Sequence, residues 1–75
     1  MIKIEDLIPL LKEGWVAMDK YGSWVWYSQK PTKNVRGEMW EKKPDEVWIV
    51  LYPIFDIAPA EDWTQSLIKV KHNER

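Results

Sequence analysis

The sequence predicts an α+β fold, with one N-terminal helix packed on a small antiparallel sheet of four to five strands. Three observations carry this. Apolar residues recur at helical spacing only near the N-terminus, at Ile4, Leu7, Ile8 and Leu11. Beyond them they fall in short β-branched and aromatic runs parted by Gly, Pro, Asn and Asp. The chain has 75 residues, too few for two domains that could each form a core unaided, so residues 1–75 make a single domain.

The helix is predicted over 4–13. Glu5 and Asp6 lie near its positive end and Lys12 near its negative end. Asp6 as N-cap would place Pro9 third after the cap, where no intrahelical donor is needed. Gly14 is placed to close the helix in a left-handed cap. Segments 15–19 and 24–28 read as a hairpin around a turn containing Gly22. Segment 29–37, with Pro31, Asn34 and Gly37, reads as a mobile loop. A short strand over 38–42, a turn over 43–46 and the clearest strand, 47–52, make a second hairpin that Pro53 ends. Asp62 is a candidate cap for a helical turn around Trp63. Residues 66–71 form a last strand, and 72–75 a frayed tail.

Ten residues are aromatic and six of these are Trp, which compensates for a short chain, since each large ring buries about 150–250 Å². Strand alternation puts Val16 and Met18 opposite Trp15 and Ala17, and Trp24 and Trp26 opposite Val25 and Tyr27. Neither set is polar, so both faces of the sheet are expected to be at least partly dry. A ten-residue helix has a footprint of roughly 150 Å², and four five-residue strands a face of roughly 320 Å². Either the 53–63 loop folds across as a lid, with Ile54, Phe55, Ile57 and Trp63 filling the gap, or some tryptophans meet a partner. A homo-oligomer is one way to cover that surface.

The residue types exclude most chemistry. With no cysteine, neither a disulfide nor a thiolate nucleophile is possible. The single histidine, His72, is the one imidazole available to the serines and threonines, and in a tail it is expected to be solvated. The carboxylate pairs Glu5/Asp6, Asp45/Glu46 and Glu61/Asp62 sit where caps and solubilising charges belong. Gly14, Gly22 and Gly37 are too far apart for a phosphate loop. Asp56 and Asp62 lack the pattern of a calcium loop. The expectation is no enzyme, no cofactor and no metal. No apolar run is long enough to span a bilayer and no leader pattern is apparent, so a soluble, cytoplasmic protein is expected.

Net charge is −1, but it is unevenly distributed. Residues 30–43 carry a local +3, and 45–62 a local −5. The basic stretch places Lys30, Lys33 and Arg36 beside an aromatic-rich segment. The candidate contact residues are therefore Trp24, Trp26 and Trp40 for stacking, with Lys30, Lys33 and Arg36 for an acidic surface or phosphate. Arg36 is favoured among the cations because its planar fork can hold two oxygens.

Several segments resemble small phage and prophage proteins of unknown function. These are Leu10-Leu11-Lys12-Glu13-Gly14-Trp15-Val16, Trp24-Val25-Trp26-Tyr27-Ser28 with Lys30-Pro31, and the run from Ile57 to Ile68 containing Asp62-Trp63-Thr64-Gln65-Ser66-Leu67. The resemblance spans most of the chain and implies a virus-encoded accessory protein in the host bacterial cytoplasm. More distantly, the helix, the aromatic strands and Glu61-Asp62-Trp63 are similar to phage anti-Thoeris sponges. That likeness implies an oligomer that sequesters an immune nucleotide, although the 29–37 insert does not map onto the sponge pattern. The expected function is a non-enzymatic binding module, an anti-defence protein holding an immune nucleotide or a host protein. The alternatives are a single-stranded nucleic-acid binder using the same aromatic and basic residues, or a virion structural or assembly component.

Overall fold

The structure is a computed structural model that describes residues 1–52 and 54–72. It begins with a single α-helical turn, α1 (Ile4–Leu7), which passes directly into a 3₁₀ turn over Ile8–Leu10. Pro9 explains the change. Its ring would clash with the Glu5 carbonyl in a continuing α-helix and it has no N–H to donate. Leu11 is already extended, with ψ 151°. The predicted helix over 4–13 is thus corrected to a shorter, tighter segment ending at Leu10. It is preceded by Lys3, not capped by Asp6.

Six strands follow among the described residues: β1 (Gly14–Met18), β2 (Trp24–Tyr27), β3 (Thr32–Asn34), β4 (Met39–Glu41), β5 (Trp48–Val50) and β6 (Ile68–Val70). Four form an antiparallel sheet in the order β5-β2-β1-β6, and β3 and β4 form a separate antiparallel hairpin. The α+β architecture read from the sequence is therefore present. Two connections differ from expectation. The 29–37 segment contains β3, and β4 pairs with β3 instead of forming a hairpin with β5. The Asn34 side chain organises the intervening turn by accepting from the Gly37 N–H at 2.9 Å. Glu38 closes that turn at φ 61°, a left-handed conformation unusual for this residue type.

The first hairpin forms as predicted. Gly22 takes φ 90°, and the Asp19 carboxylate accepts from the N–H groups of Tyr21 and Ser23. The 3₁₀ turn over Trp63–Gln65 is capped by Asp62, which accepts from Thr64 N–H at 3.0 Å. His72 belongs to the fold rather than to a frayed tail: its ring meets the Leu11 carbonyl and its N–H donates to Glu13. The predicted strand end at Pro53 and the tail beyond His72 lie outside the described residues.

Each face of the sheet has its own core. On the helix side Val16, Met18, Trp24 and Trp26 pack with Ile4, Leu7 and Ile57. On the opposite side Ala17 and Tyr27 pack against Trp40, joined by Trp15, Val25 and Trp63. The second face is therefore covered mainly by the β3–β4 hairpin and the Trp63 turn. The 53–63 loop acts as a lid only in part: Ile57 enters the helix-side core, while Ile54 and Phe55 stand exposed. Ile57 also makes a parallel bridge with Ile2, fastening the N-terminal segment to the loop.

Gly14 is the first residue of β1, not a helix cap, and it is there for closeness. A Cβ at this position would lie 2.5 Å from the Tyr27 carbonyl oxygen and 2.8 Å from the Trp26 ring. Neither neighbour is the free end of a flexible chain, so a methyl group must displace the β1–β2 ladder. Gly14→Ala is expected to destabilise the domain by about 1–3 kcal/mol, the usual cost of overpacking a close-fitted core. A urea midpoint unchanged from wild type would contradict this packing.

Candidate functional site

The residues singled out in the sequence are not gathered at one place. Trp24, Trp26 and Trp40 are all buried, none more than 8% exposed. Each indole N–H is also used: Trp24 donates to Ala58 O, Trp26 to Lys12 O, and Trp40 to Met18 O and Trp63 O. These rings join loops to the sheet, with only a small part of each left exposed. The three tryptophans expected to make contacts are thus placed in the two cores of the sheet.

The cations are spread along the β3–β4 hairpin. Lys30 lies over the Trp15 ring, 5.5 Å from its centroid, and Lys69 lies at the same distance. Lys33 reaches the Thr64 carbonyl at 3.4 Å, near Asp62. Arg36 is exposed in the β3–β4 turn. Nearby Glu38 bonds to Lys20 and Tyr21, which follow the far end of β1 from Trp15. Five residues of extended chain separate Trp15 from Lys20, roughly 16 Å. Lys30 and Arg36 thus belong to opposite ends of the sheet and do not form one anion site.

The structure draws attention instead to β5. Among the described residues this strand is an edge of the four-stranded sheet, paired with β2 alone. Ser28 N–H donates to Val47 O, and Leu51 N–H to Trp24 O. By antiparallel alternation the backbone groups of Val47, Ile49 and Leu51 face β2, whereas those of Trp48 and Val50 face outward. Apolar side chains accompany this open edge: Val47 is 60% exposed, Trp48 47% and Ile49 51%.

A groove runs along each side of β5. On the helix side, Leu10, Leu11, Trp26, Val47 and Ile49 line a space of about 340 Å³. On the hairpin side, Val25, Tyr27, Met39, Trp40 and Trp48 line one of about 260 Å³. Lys42 borders the latter, its ammonium 5.8 Å from the Trp48 ring centroid. An extended segment laid along β5 would find backbone partners in the middle and apolar recesses for alternate side chains on either hand.

The sequence contained the signal for this site. From Val47 to Phe55 there is no charged residue, and natural edge strands usually carry lysine, proline or inward-pointing charge. The strand was identifiable, but its edge position was not, because β4 was expected to pair beside it.

Electrostatics elsewhere is structural. The exposed Lys20–Glu38 pair has its carboxyl held below the usual range by hydrogen bonds from Lys20 and Tyr21, and its ammonium raised by the same Glu38 contact. Asp62 is lowered by the Thr64 hydroxyl and N–H. Buried Glu46 accepts from the Gln29 and Lys43 N–H groups at 2.8 Å each, which ties the turn before β5 to the end of β2. Among the described residues no three His, Asp or Glu side chains gather where a metal ion would be held. Among the same residues no helix is long and apolar enough to cross a membrane. Comparison with protein-family models, curated proteins and solved structures finds no match for the chain.

Tyr27 provides a spectroscopic handle on the hairpin-side groove. Burial pushes its phenol up to about 12 from 10.0, with smaller contributions from Asp19 and Glu46. The folded state therefore holds this proton more tightly than the unfolded chain. Its contribution to stability is fully present below pH 10 and is lost as pH rises towards 12. Wild-type stability is expected to fall across that window, and Tyr27→Phe to flatten the fall. An equal alkaline loss in both proteins, followed by chemical denaturation at each pH, would contradict the assignment.

Proposed function

We propose that this chain is a non-enzymatic binding module that acts by stoichiometric contact, with the open β5 edge and its two apolar grooves as the working surface. The observation that carries the reading is the coincidence of outward Trp48 and Val50 backbone groups with exposed Val47, Trp48 and Ile49 side chains. Backbone pairing supplies affinity in such a surface, and the flanking grooves supply selectivity. The biological setting proposed is that implied by the sequence resemblance, a phage or prophage accessory protein in a bacterial cytoplasm.

A second reading is favoured by Trp15. Lys30 and Lys69 both approach this half-buried ring, and Lys71 borders the adjoining recess. Positive charge beside an aromatic is suited to an anionic ligand such as a nucleotide or a single-stranded nucleic acid.

The two readings separate in one titration series. A short peptide of alternating valine and threonine, added to isotope-labelled protein, is expected to shift amide resonances of residues 47–50 together with those of Leu10 and Met39. Protection of the Trp48 and Val50 amides from hydrogen exchange should follow. An adenine nucleotide or oligothymidylate should leave these signals unchanged. Peptide-induced shifts absent from 47–50, with nucleotide-induced shifts at Trp15 and Lys69, would overturn the edge reading and favour the second.

A further inference from the structure

We infer that the occupant of the β5 edge is a second copy of this chain, joined antiparallel about a two-fold axis at Ile49 to give a continuous eight-stranded sheet. The inference rests on the edge reading above and identifies the partner of that same surface.

The two edges of the sheet are unlike. β6, at one side, carries Lys69 and is followed by Lys71, and His72 folds back to bond with Leu11 and Glu13. Lysines of this kind discourage strand addition. β5, at the other side, carries no charge, and neither does any residue from Val47 to Tyr52. An apolar, uncharged strand left bare is an aggregation hazard unless a defined partner closes it. A two-fold pair closes it completely, because each copy consumes the edge of the other and leaves only guarded β6 edges outside.

Self-complementarity fixes the register. Trp48 and Val50 carry the outward backbone groups, so a pair centred on Ile49 sets Trp48 of one copy opposite Val50 of the other, twice. Each such pair exchanges two hydrogen bonds. The two Ile49 side chains then meet on the helix side as a non-hydrogen-bonded pair, the closer of the two spacings. On the hairpin side, a bulky indole faces a small branched side chain. A register centred on Trp48 would instead set the two indoles directly opposite, each with its Lys42 ammonium nearby, so that like charges converge. The Ile49 register makes the two indoles diagonal neighbours and keeps the ammonium groups apart.

Area is consistent with a specific dimer. Leu10, Met39, Val47, Trp48 and Ile49 are all large and exposed around this edge. Together they offer on the order of 500–600 Å² per copy, or about 1,000–1,200 Å² per pair, near the lower end for stable association.

The test is sedimentation of the full chain from micromolar to millimolar concentration, alongside Ile49→Lys and Ile49→Glu. Ile49 is half exposed, so both variants are expected to fold, as circular dichroism and thermal unfolding will report. Wild type should dimerise, and each variant should weaken the dimer at least tenfold. An equimolar mixture of the variants should regain it, since only a two-fold axis at residue 49 sets lysine against glutamate. A monomeric wild type that still binds the valine–threonine peptide at 47–50 overturns the second copy but leaves the edge reading standing. A monomer that ignores the peptide overturns both. A dimer insensitive to either substitution, or unrestored by mixing, overturns the Ile49 register.

Discussion

A four-stranded sheet has two faces, and this chain has one short helical segment, one small hairpin and one connecting loop with which to cover them. That shortage of chain shapes everything else. It is met by three buried tryptophans whose rings fill the space between layers and whose N–H groups bond to backbone 14 to 34 residues away. A ring of this size excludes water from a large area, and the single hydrogen bond at its tip fixes the orientation in which it does so. In a chain without disulfides, they are the long-range fastenings. They converge on the central strands β1 and β2, and cover thins towards β5.

The same economy governs the polar groups. Met18 ends β1, where β6 has not yet begun to pair, and its N–H and carbonyl would otherwise be left open. The buried Ser66 hydroxyl meets both: it accepts from Met18 N–H at 2.8 Å and lies 3.0 Å from Met18 O. Trp40 donates to that same carbonyl, so one peptide unit joins the sheet, the hairpin and the turn before β6. Glu46 does comparable work beside β5 by capping two backbone amides. A buried polar side chain is tolerated in both places because it completes a ladder that no strand reaches.

Much of this was legible in the sequence. Period-two alternation separated Val16 and Met18 from Trp15 and Ala17, and Trp24 and Trp26 from Val25 and Tyr27, and the two cores keep both divisions. The β1–β2 hairpin and the Asp62 cap followed from local turn chemistry. What could not be read was which strands pair with which. The 29–37 segment looked like a loop because Pro31, Asn34 and Gly37 dominate it, yet Asn34 and Gly37 build the turn that returns β4 to β3. Once β4 is engaged there, β5 loses the neighbour expected for it. The same limitation hides which aromatic residues are presented at the surface. Aromatic identity marks a ring as worth burying or worth presenting, and only the tertiary arrangement decides between them. Trp40 was buried by a hairpin that local signals did not reveal. Trp48, which no local signal distinguishes from the other tryptophans, was left near the edge.

The pairing of β1 with β6 also has a consequence in time. β1 lies in the middle of the sheet, yet one of its two partners is the last strand among the described residues, and Ile2 is bridged to Ile57. During synthesis, β1 and β2 can zip together early, but the sheet stays incomplete until Val70 has emerged. Closure of such long loops raises the entropic barrier to folding and slows it relative to a chain of local contacts. A nascent or truncated chain lacking β6 would present the β1 edge as well as β5, and thus would be prone to join end to end. Pairing of β6 removes that second bare edge, so the order in which the strands emerge decides how long the middle of the sheet stays uncovered.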